Sequence, residues 1–422
     1  MRREIAVRLD ETGPLERDEP FMLRVAQEST AEAPEAEHIR VLHVAQMIAG
    51  GVASFFEEIA AYQTEAFGKD NVHFLVPGGS EAHLPNIDPT QIMTFAQTSR
   101  RPGALWDFGR VARDAIVRLQ PDIVHLHSSF AGAVVRAFLP RTSGKPRVIY
   151  CPHGWAFSIE TSGIRKVAYA AVERLLARRT DLILVNSASE YNLAVKYGLR
   201  PDQLRTVRNG IGWTPAPAAV RRTGQMQLAF IGRHDRQKGI DILYDAIDRF
   251  PLDGIHFHIV GESIVGRNGS PSAAARTNVT SYGWLSRADT LQLLSGMDGL
   301  VMPSRWDAAP IVAIEAMRAG VPVIGSNRGS LPEIVLNGVG GYIFDIDQPD
   351  ALGELLQRLN VNELRRRRSA ARCRWAEIYV AERMNQLTRA AYECVLSQHP
   401  ASPEQAPAAP TKDRQPLAWQ VS

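Results

Sequence analysis

Short apolar runs alternate with longer amphipathic segments along most of the chain. The first runs, each the length of a buried strand, are 39–45, 72–76, 122–127, 147–151 and 182–187. Segments of helical length separate several of them, and one helix is predicted from the Gly50–Gly51 turn to about Phe67. Strands that alternate with helices form βαβ units, which give a parallel sheet with helices on both faces.

The pattern breaks once and then restarts. Residues 209–225 hold three Gly and two Pro, which favours an interdomain linker. Further strands are predicted at 227–232, 256–261, 278–283, 300–304 and 322–326, and helices are predicted after Gly239, at 351–359 and over 368–398. We therefore predict an α/β protein with two doubly wound, Rossmann-like domains, 38–208 and 227–373, which are joined by 209–226 and face each other across a cleft.

The two ends of the chain differ from the middle. Residues 1–37 carry ten acidic residues and five arginines without apolar periodicity, which predicts a disordered arm. Residues 397–422 are rich in Pro and Ala, which predicts a flexible tail.

Composition excludes several classes of protein. The net charge of +3 over 422 residues is too even for bulk nucleic-acid binding. No apolar run reaches the ~18 residues of a spanning helix, and the N-terminus lacks the apolar region of a secretory signal. The three cysteines lie far apart, so neither a disulfide framework nor a zinc site is expected, and a cytoplasmic protein is predicted.

The strongest chemical signal is PSRWDAAPIVAIEAM, residues 303–317. Pro310 suits the first turn of a helix, which places Asp307 in the preceding loop and Glu315 inside the helix. The backbone amides of Ile311 and Val312 would face the cleft at the positive helix end, where phosphate binds. The functional interpretation is a sugar-nucleotide site, with Asp307 on sugar hydroxyls and Glu315 on ribose. The alternative is an ordinary strand–loop–helix with solvated acids.

A second candidate is the loop GRHDRQKG, residues 232–239, where a predicted strand ends in Gly232. Arg233 and Lys238 beside a helix start suit a diphosphate, on which negative charge builds as the glycosidic bond breaks. The alternative is a basic loop with exposed side chains.

Two weaker candidates lie in the first half of the chain. The Gly50–Gly51 turn would let the backbone approach a ligand closely, although it lacks the full GxGxxG spacing. His153 follows a strand and could donate a hydrogen bond to a donor sugar or phosphate. For both features the alternative is a purely structural role.

Other polar features point away from a metal site. Asp345 and Asp347 form a DxD motif without further ligands, and His125 and His127 share one face of a strand, where a core or cleft role is expected. The segment 163–180 is predicted to be a helix whose apolar residues pack on the sheet while its cations contact anionic lipid. The alternative for that segment is an ordinary amphipathic surface helix.

Several segments, in the order in which they occur, resemble the motifs of a large family of retaining glycosyltransferases of GT-B fold (family 4-like, glycosyl transferases group 1). This family contains many bacterial polysaccharide and glycolipid enzymes. The segments are GGVASFFEEIA, PDIVHLHSS, PHGW, VNSASEYNLAVKYGLRPDQLRTVRNGI, GRHDRQKG, PSRWDAAPIVAIEAMRAGVPVI and GSLPEIVLNGVGGYIF. The resemblance runs from about Ile39 to about Leu396 and covers nearly all of the chain between the predicted arm and tail.

The resemblance implies a role for each matching residue. Arg233 and Lys238 would hold the donor diphosphate, and Glu315 would bind ribose. The donor site would also include Gly51, His153, Gly232, Asp307, Ile311, Val312 and the backbone of Tyr282, Gly283 and Trp284 beside the base. A C-terminal helix, 374–396, would pack back on the N-terminal domain.

The sequence departs from the family pattern at one place. Asp307 replaces the usual Glu, and Ala308-Ala309-Pro310 replaces the usual Gly-Phe-Gly, so a reshaped sugar pocket is expected.

Together, these observations predict transfer of a sugar from a UDP- or GDP-sugar to a glycan or polyprenyl-linked acceptor, and the family resemblance implies retention of the anomeric configuration. No cofactor, metal or nucleic acid is expected, and the protein is expected in the cytoplasm or at the inner face of the plasma membrane. The alternatives are a sugar-nucleotide epimerase on the same fold and a non-catalytic sugar-nucleotide scaffold.

Overall fold

Two parallel sheets organise the chain. The computed structural model describes residues 39–48, 50–96, 102–139, 146–214, 224–263 and 276–397. The predicted arm, all of the predicted tail except Ser397, and the middle of the predicted linker lie outside these ranges.

The first sheet has seven strands in the order β3-β2-β1-β4-β5-β6-β7. Its strands are β1 Val41–Ala45, β2 Val72–Pro77, β3 Ile92–Phe95, β4 Ile123–His127, β5 Arg147–Cys151, β6 Leu182–Val185 and β7 Leu204–Thr206. Its α-helices are α1 Gly51–Phe67, α2 Pro102–Leu119, α3 Ser129–Phe138, α4 Gly163–Ala177 and α5 Ala188–Lys196.

The second sheet has six strands in the order β10-β9-β8-β11-β12-β13. Its strands are β8 Met226–Ile231, β9 Ile255–Val260, β10 Val279–Ser281, β11 Gly299–Met302, β12 Val323–Ser326 and β13 Gly341–Phe344. Its helices are α6 Ile240–Arg249, α7 Arg287–Ser295, α8 Ile311–Arg318, α9 Leu331–Val335, α10 Ala351–Arg358 and α11 Val361–Ile378, and a last helix, α12 Ala381–Ser397, follows.

Both sheets are buried on both faces, as predicted for parallel sheets. In β1, for example, Val41 and Ala45 belong to one apolar cluster, whereas Leu42 and Val44 belong to the cluster on the other face. This double burial explains why the central strands are almost continuously apolar in sequence.

The sequence pattern missed the two edge strands of the first sheet, β3 and β7. Only one residue in each, Phe95 and Leu204, is buried. Edge strands pack against fewer neighbours, so they lack the apolar run that marks the central strands.

The long helix predicted over 368–398 is two helices. Tyr379 and Val380 leave the helical conformation because the backbone there bonds to the first interdomain connection. The N–H of Ile211 donates to the carbonyl of Tyr379 at 3.0 Å, and the N–H of Ala381 donates to the carbonyl of Ile211 at 3.2 Å. The chain therefore crosses between the domains twice, side by side.

The two helices beside this break belong to different cores. Trp375 on α11 lies in the core of the second domain, whereas Met384 and Tyr392 on α12 lie in the core of the first. The last helix thus packs back on the N-terminal domain, as predicted, but it begins at Ala381 and not at 374.

Helix α4 packs in the opposite way to the prediction. Its buried residues are Ala170, Glu173 and Ala177, and a buried ion pair between Glu173 and Arg136 of α3, 2.7 Å long, anchors it. The large apolar residues predicted to pack on the sheet are exposed: Ile164, Val167, Tyr169, Val172 and Leu175. No helix within the described ranges combines the length and the apolar character that crossing a bilayer requires.

We predict that Gly210→Ala disturbs the double crossing. A Cβ atom at Gly210 would lie 2.2 Å from the carbonyl oxygen of Val380, and neither backbone can move without breaking the crossing. Overpacking of this kind costs roughly 1–3 kcal/mol. Gly163→Ala is the control, because nothing lies within 4 Å of that position. Equal thermal unfolding temperatures for the two variants would contradict a tightly packed crossing.

Candidate active site

The candidate site lies where the second sheet changes direction. The order β10-β9-β8-β11-β12-β13 places β8 beside β11, so the connections run to opposite sides from these two central strands. Loops that leave the carboxyl ends of such strands form a crevice in which ligands bind. Residues 232–239 follow β8 and residues 303–310 follow β11, so both predicted loops open into this crevice.

An ion pair joins the two loops. Lys238 Nζ lies 2.6 Å from Asp307 Oδ2, and the side chains are only 18% and 10% exposed. Ser304 Oγ donates a hydrogen bond to the same carboxylate oxygen at 3.3 Å. Two residues that the sequence assigned to one ligand are therefore in direct contact, although 69 positions separate them.

Arg233 is held within its own loop. Its Nε lies 2.8 Å from Asp235 Oδ2, and its Nη2 donates to Gln237 Oε1 at 2.7 Å. Asp235 also accepts the backbone N–H of Lys238 at 3.0 Å. The loop is thus held together by contacts among its own residues. The side chain of Arg233 is one-third exposed, while Gly232 packs against Lys238.

Glu315 lies in α8 and is buried, and an arginine is its ion-pair partner. Arg287 at the start of α7 places its Nε 3.4 Å from Glu315 Oε1. Burial raises the pKa of Glu315, whereas the positive charges of Arg287 and Arg318 oppose this shift. The predicted ribose-binding carboxylate is therefore paired with an arginine in this structure.

The same arginine reaches across to the other domain. Arg287 Nη1 lies 2.7 Å from Glu57 Oε2, and Nη2 lies 3.5 Å from Glu58 Oε1, both on α1. Glu58 Oε2 in turn accepts the N–H of Gly212 at 2.9 Å. Sequence analysis missed Arg287, Glu57 and Glu58, because no local pattern links residues 230 positions apart.

The N-terminal domain meets α8 and the Asp307 loop directly. A Cβ atom on Gly51, the first residue of α1, would lie 3.2 Å from Ile311 Cγ1, and one on Gly154 would lie 3.8 Å from Ala308 Cβ. Ile311 is buried and Val312 is half-buried at the start of α8, where first-turn amides have no partner inside the helix. The predicted residues of the two domains thus border one cleft.

Tyr282, Gly283 and Trp284 follow β10 at the edge of the second sheet. Tyr282 is fixed by its hydroxyl, 2.8 Å from His258 Nδ1, and Gly283 accepts the N–H of Gly261 at 2.7 Å. Trp284 is 52% exposed, so its side chain is free to contact a planar ligand.

His153 lies at the cleft end of a group of buried histidines. Its Nε2 is 3.0 Å from His127 Nδ1, and His127 Nε2 is 3.0 Å from His43 Nδ1. Burial lowers the pKa of His153 to about 4, and a hydrogen bond with the side chain of Asn186 opposes that shift. His125 and His127 are core residues, one of the two roles expected for them, and no local sequence pattern linked His43 to them.

Ligand atoms of His43, His125 and His127 lie within 4.8 Å of one another, the only such cluster with metal-binding geometry in the described part of the chain. The carboxylates of the DxD motif have local partners instead. Asp345 accepts from Asn327 Nδ2 at 2.7 Å, and Asp347 pairs with Arg328.

Glu190 is a further buried acid beside the cleft. It lies in the first turn of α5, where Ser187 caps the helix, and its Oε2 accepts the N–H of Asn186 at 2.9 Å. Burial raises the pKa of Glu190 to about 7, against hydrogen bonds from the backbone N–H groups of Asn186 and Gly154. The signal for this residue was the Ser-x-x-Glu spacing of a capping box.

Comparison with known proteins gives consistent results. The chain matches the family "Glycosyltransferase Family 4" over residues 49–212 and the family "Glycosyl transferases group 1" over residues 217–374. It is 30% identical to an uncharacterized 41.2 kDa protein in the cps region of Klebsiella pneumoniae, over 79% of this chain and 94% of that protein.

Two further proteins are similar at lower identity. One is the Escherichia coli UDP-Gal:alpha-D-GlcNAc-diphosphoundecaprenol alpha-1,3-galactosyltransferase, which is 24% identical over 56% of this chain and 66% of that protein. The other is Anabaena HepE, solved in complex with UDP and glucose, with a TM-score of 0.68 and 18% identity, covering 85% of this chain and 100% of that chain. The HepE likeness concerns the fold alone.

We predict that Glu190 makes the protein less stable as the pH rises through 7. The folded chain keeps a proton on Glu190 up to about pH 7, whereas the unfolded chain releases it near pH 4.5. The contribution of the protonated Glu190 to stability is therefore complete below pH 4.5, falls between these pH values and is lost above pH 7. The difference corresponds to roughly 3 kcal/mol.

The measurement is the free energy of unfolding in urea at pH 5 and pH 8. Glu190→Gln should remove about 2.5 kcal/mol of the change between these pH values, because part of the effect is already lost at pH 5. Glu354→Gln, a control at an exposed glutamate on α10 paired with Arg358, should leave the change unaltered. Equal pH dependence of Glu190→Gln and the unmodified protein would contradict the role of Glu190.

Proposed function

Since the chain belongs to the glycosyl transferases group 1 family of GT-B fold, we propose that it transfers a sugar from a nucleotide-diphosphate sugar to a glycan or lipid-linked acceptor. The proposal includes retention of the anomeric configuration and a UDP- or GDP-sugar as donor. We further propose a role in bacterial exopolysaccharide or cell-envelope glycan synthesis.

The observation that carries the proposal is the Lys238–Asp307 ion pair in the crevice between β8 and β11. It brings a cation for phosphate and a carboxylate for sugar hydroxyls to one point at the carboxyl ends of the strands. When the donor binds, its diphosphate takes over the ammonium group of Lys238, and Asp307 turns to the hydroxyl groups of the sugar.

The rest of the donor follows from the neighbouring residues. The first-turn amides of α8, at Ile311 and Val312, add donors and a positive helix end for the phosphate groups. Glu315 binds the ribose hydroxyls in exchange for Arg287, which keeps Glu57 as its partner. Tyr282, Gly283 and Trp284 border the base.

The chemistry needs little more than positioning and charge stabilisation. Arg233 and Lys238 stabilise the negative charge that grows on the leaving diphosphate as the glycosidic bond breaks. The acceptor hydroxyl attacks from the same face, and a leaving phosphate oxygen takes its proton. The contact between Gly51 and Ile311 brings the domains together over the donor, which limits hydrolysis by water.

Helix α4 supports an acceptor held at a membrane. At 100° per residue, Ile164, Val172 and Leu175 lie on the opposite side of the helix from buried Ala170, Glu173 and Ala177, and exposed Val167 lies at the edge of this apolar stripe. Ile164 is 84% exposed and Leu175 61% exposed. Arg165, Arg174 and Arg178 are exposed beside this apolar stripe, as in helices that lie in the lipid headgroup layer.

A lipid-linked acceptor agrees with the Escherichia coli relative, whose acceptor is a diphosphoundecaprenol-linked sugar. In this chain a membrane-bound α4 would keep the cleft close to such an acceptor. Arg179 plays a different part, because its Nη1 donates to the carbonyls of Arg136 and Ala137 at the end of α3.

We predict that Arg233→Ala lowers kcat/KM for sugar transfer by roughly 100-fold to 1,000-fold, the loss typical of one donor to a developing negative charge. Initial rates with a panel of UDP- and GDP-sugars and a diphosphoundecaprenol-linked acceptor measure it. Arg236→Ala is the matched control. Arg236 lies in the same loop, but its side chain is 68% exposed and pairs with Glu160 outside the site.

Arg236→Ala should keep transfer within a few-fold of the unmodified protein. Unimpaired transfer by Arg233→Ala would reject the assignment of Arg233. Conversion of a free sugar nucleotide without any acceptor would favour an epimerase, and nucleotide binding without turnover would favour a scaffold.

We predict that α4 binds the protein to anionic vesicles. Flotation with phosphatidylglycerol vesicles should recover the unmodified protein at the top of the gradient. In 0.5 M NaCl the Debye length is about 4 Å, so the attraction between the arginines and the anionic lipid is screened. The binding should weaken only partly, because burial of the apolar side chains also contributes to it. A variant with Ile164, Val167 and Leu175 changed to Asn should stay at the bottom. A control with Val117, an equally exposed valine on α2, changed to Asn should still float. Flotation of the triple variant would exclude α4 as the binding surface.

A further inference from the structure

An unbroken series of hydrogen-bonded side chains runs from the cleft into the core of the N-terminal domain. It begins with His153, His127 and His43, joined by the two 3.0 Å contacts described above. His43 Nε2 then lies 2.8 Å from Gln63 Oε1 on α1, and Gln63 Nε2 donates to the Tyr392 hydroxyl on α12 at 3.2 Å. The series ends at His125, whose Nδ1 lies 2.7 Å from that hydroxyl.

The interior members are sealed from water. His43, His125, His127, Gln63 and Tyr392 are each at most 1% exposed. Aromatic rings surround them, with Phe74 stacked on His43 at 4.9 Å and Phe56 edge-on to His127 at 4.8 Å. Burial lowers the pKa of His43 to about 4 and holds the pKa of His127 well below its usual value, so these imidazoles are neutral.

Neutral imidazoles make the series directional, because each carries one N–H and one acceptor nitrogen. Gln63 uses its N–H on Tyr392, so its carbonyl oxygen accepts from the Nε2–H of His43. The Nδ1 of His43 therefore accepts from the Nε2–H of His127, and the Nδ1 of His127 accepts from the Nε2–H of His153. Each proton position follows from the one before it.

The same orientation of the Gln63 carboxamide sets the direction at the far end. The Tyr392 oxygen accepts from Gln63, so its single O–H donates to His125 Nδ1. The remaining nitrogen of His125, Nε2, has no hydrogen-bond partner within the described ranges. No proton acceptor therefore follows His125 in the described part of the chain, so the series cannot transfer a proton along its length. It can only keep the protons at defined nitrogen atoms.

We propose that Tyr392, a positioning residue on the last helix, fixes through this series which ring nitrogen of His153 carries the proton. His153 then keeps its proton on Nε2, and its Nδ1 is the acceptor nitrogen, available to the Asn186 side chain and, in exchange for it, to a hydroxyl of the bound sugar. This role rests on the proposed transferase function, and it differs from the donor role that the sequence suggested for His153. Gln63 is the second positioning residue.

A metal site is the competing explanation for the three central histidines. Their ligand atoms are close enough, but His43 Nδ1 and His127 Nε2 are committed to each other at 3.0 Å. No carboxylate belongs to the series. The hydrogen-bonded series gives a partner to every ring nitrogen of His43, His125 and His127 except His125 Nε2. It therefore explains more of the observed contacts than a metal site does.

The test is a two-bond ¹H–¹⁵N NMR spectrum of histidine-labelled protein, which distinguishes the two neutral forms of each imidazole. In the unmodified protein, His153 should be entirely in the Nε2–H form, with its signal assigned by His153→Gln. Tyr392→Phe removes both hydrogen bonds of the Tyr392 hydroxyl, and loss of the one from Gln63 frees the carboxamide to turn, so the ratio of the two forms at His153 should change by about fivefold.

Two variants complete the design. Gln63→Leu breaks the series at another link and should move the His153 signals in the same way. Tyr379→Phe is the matched control, because Tyr379 is a buried tyrosine of the other domain whose hydroxyl lies outside the series, and it should leave His153 unchanged. A His153 spectrum that is unaltered in both Tyr392→Phe and Gln63→Leu would overturn the proposal. One equivalent of a transition metal in the purified chain would also overturn it.

Transfer assays separate this proposal from the proposed function. Tyr392→Phe should lower kcat by about fivefold, with KM for the donor nearly unchanged, because Tyr392 touches no part of the donor site. If no sugar nucleotide supports transfer and the NMR changes still occur, the transferase function fails and the series stands. If transfer is normal and His153 does not respond, the series fails and the function stands.

Discussion

The paired crossing of the chain between its domains is the constraint on which the cleft depends. Ile211 bonds to Tyr379 and Ala381 across two connections that run side by side. One connection alone would leave the two sheets free to turn relative to each other. Two bonded connections restrict that motion, so loops from different domains meet in a defined arrangement. Gly212, next to this point, is held from both sides by Glu58 of α1 and Arg318 of α8.

The charges between the domains connect this hinge to the donor site. Arg287 is shared by Glu57 and Glu58 of one domain and Glu315 of the other. A ligand that takes Glu315 therefore changes the electrostatic contact between the domains, because the arginine keeps only its partners on α1. Burial of Glu315 makes its unpaired, charged form costly, so this carboxylate is paired either with Arg287 or with the hydroxyl groups of a ligand. In the proposed function, donor binding is therefore coupled to the relative position of the domains through the side chain of Arg287.

The sequence predicted the features that depend on local pattern. The central strands could be identified because both of their faces are buried, and Lys238 and Asp307 could be located at one end of the sheet because each lies in the loop after such a strand. The edge strands β3 and β7 lack that burial. The orientation of α4 was wrong because small residues and the Arg136–Glu173 ion pair, not large apolar side chains, hold it to the sheet. Arg287 could not be found, since its partners are distant in sequence and come together only through the arrangement of the domains.

The histidine series gives the last helix a part in the chemistry of the cleft. Helix α12 follows the second domain, which contains none of the histidines of the series. Its Tyr392 nevertheless contacts both Gln63 and His125 of the first domain. An apolar residue at 392 would fill the core equally well, but it would leave polar atoms of both neighbours unpaired, and unpaired buried groups are costly. The hydroxyl is therefore required by the first domain, although the second crossing of the chain supplies it. Completion of the N-terminal half of the site thus depends on the same crossing that positions the two domains.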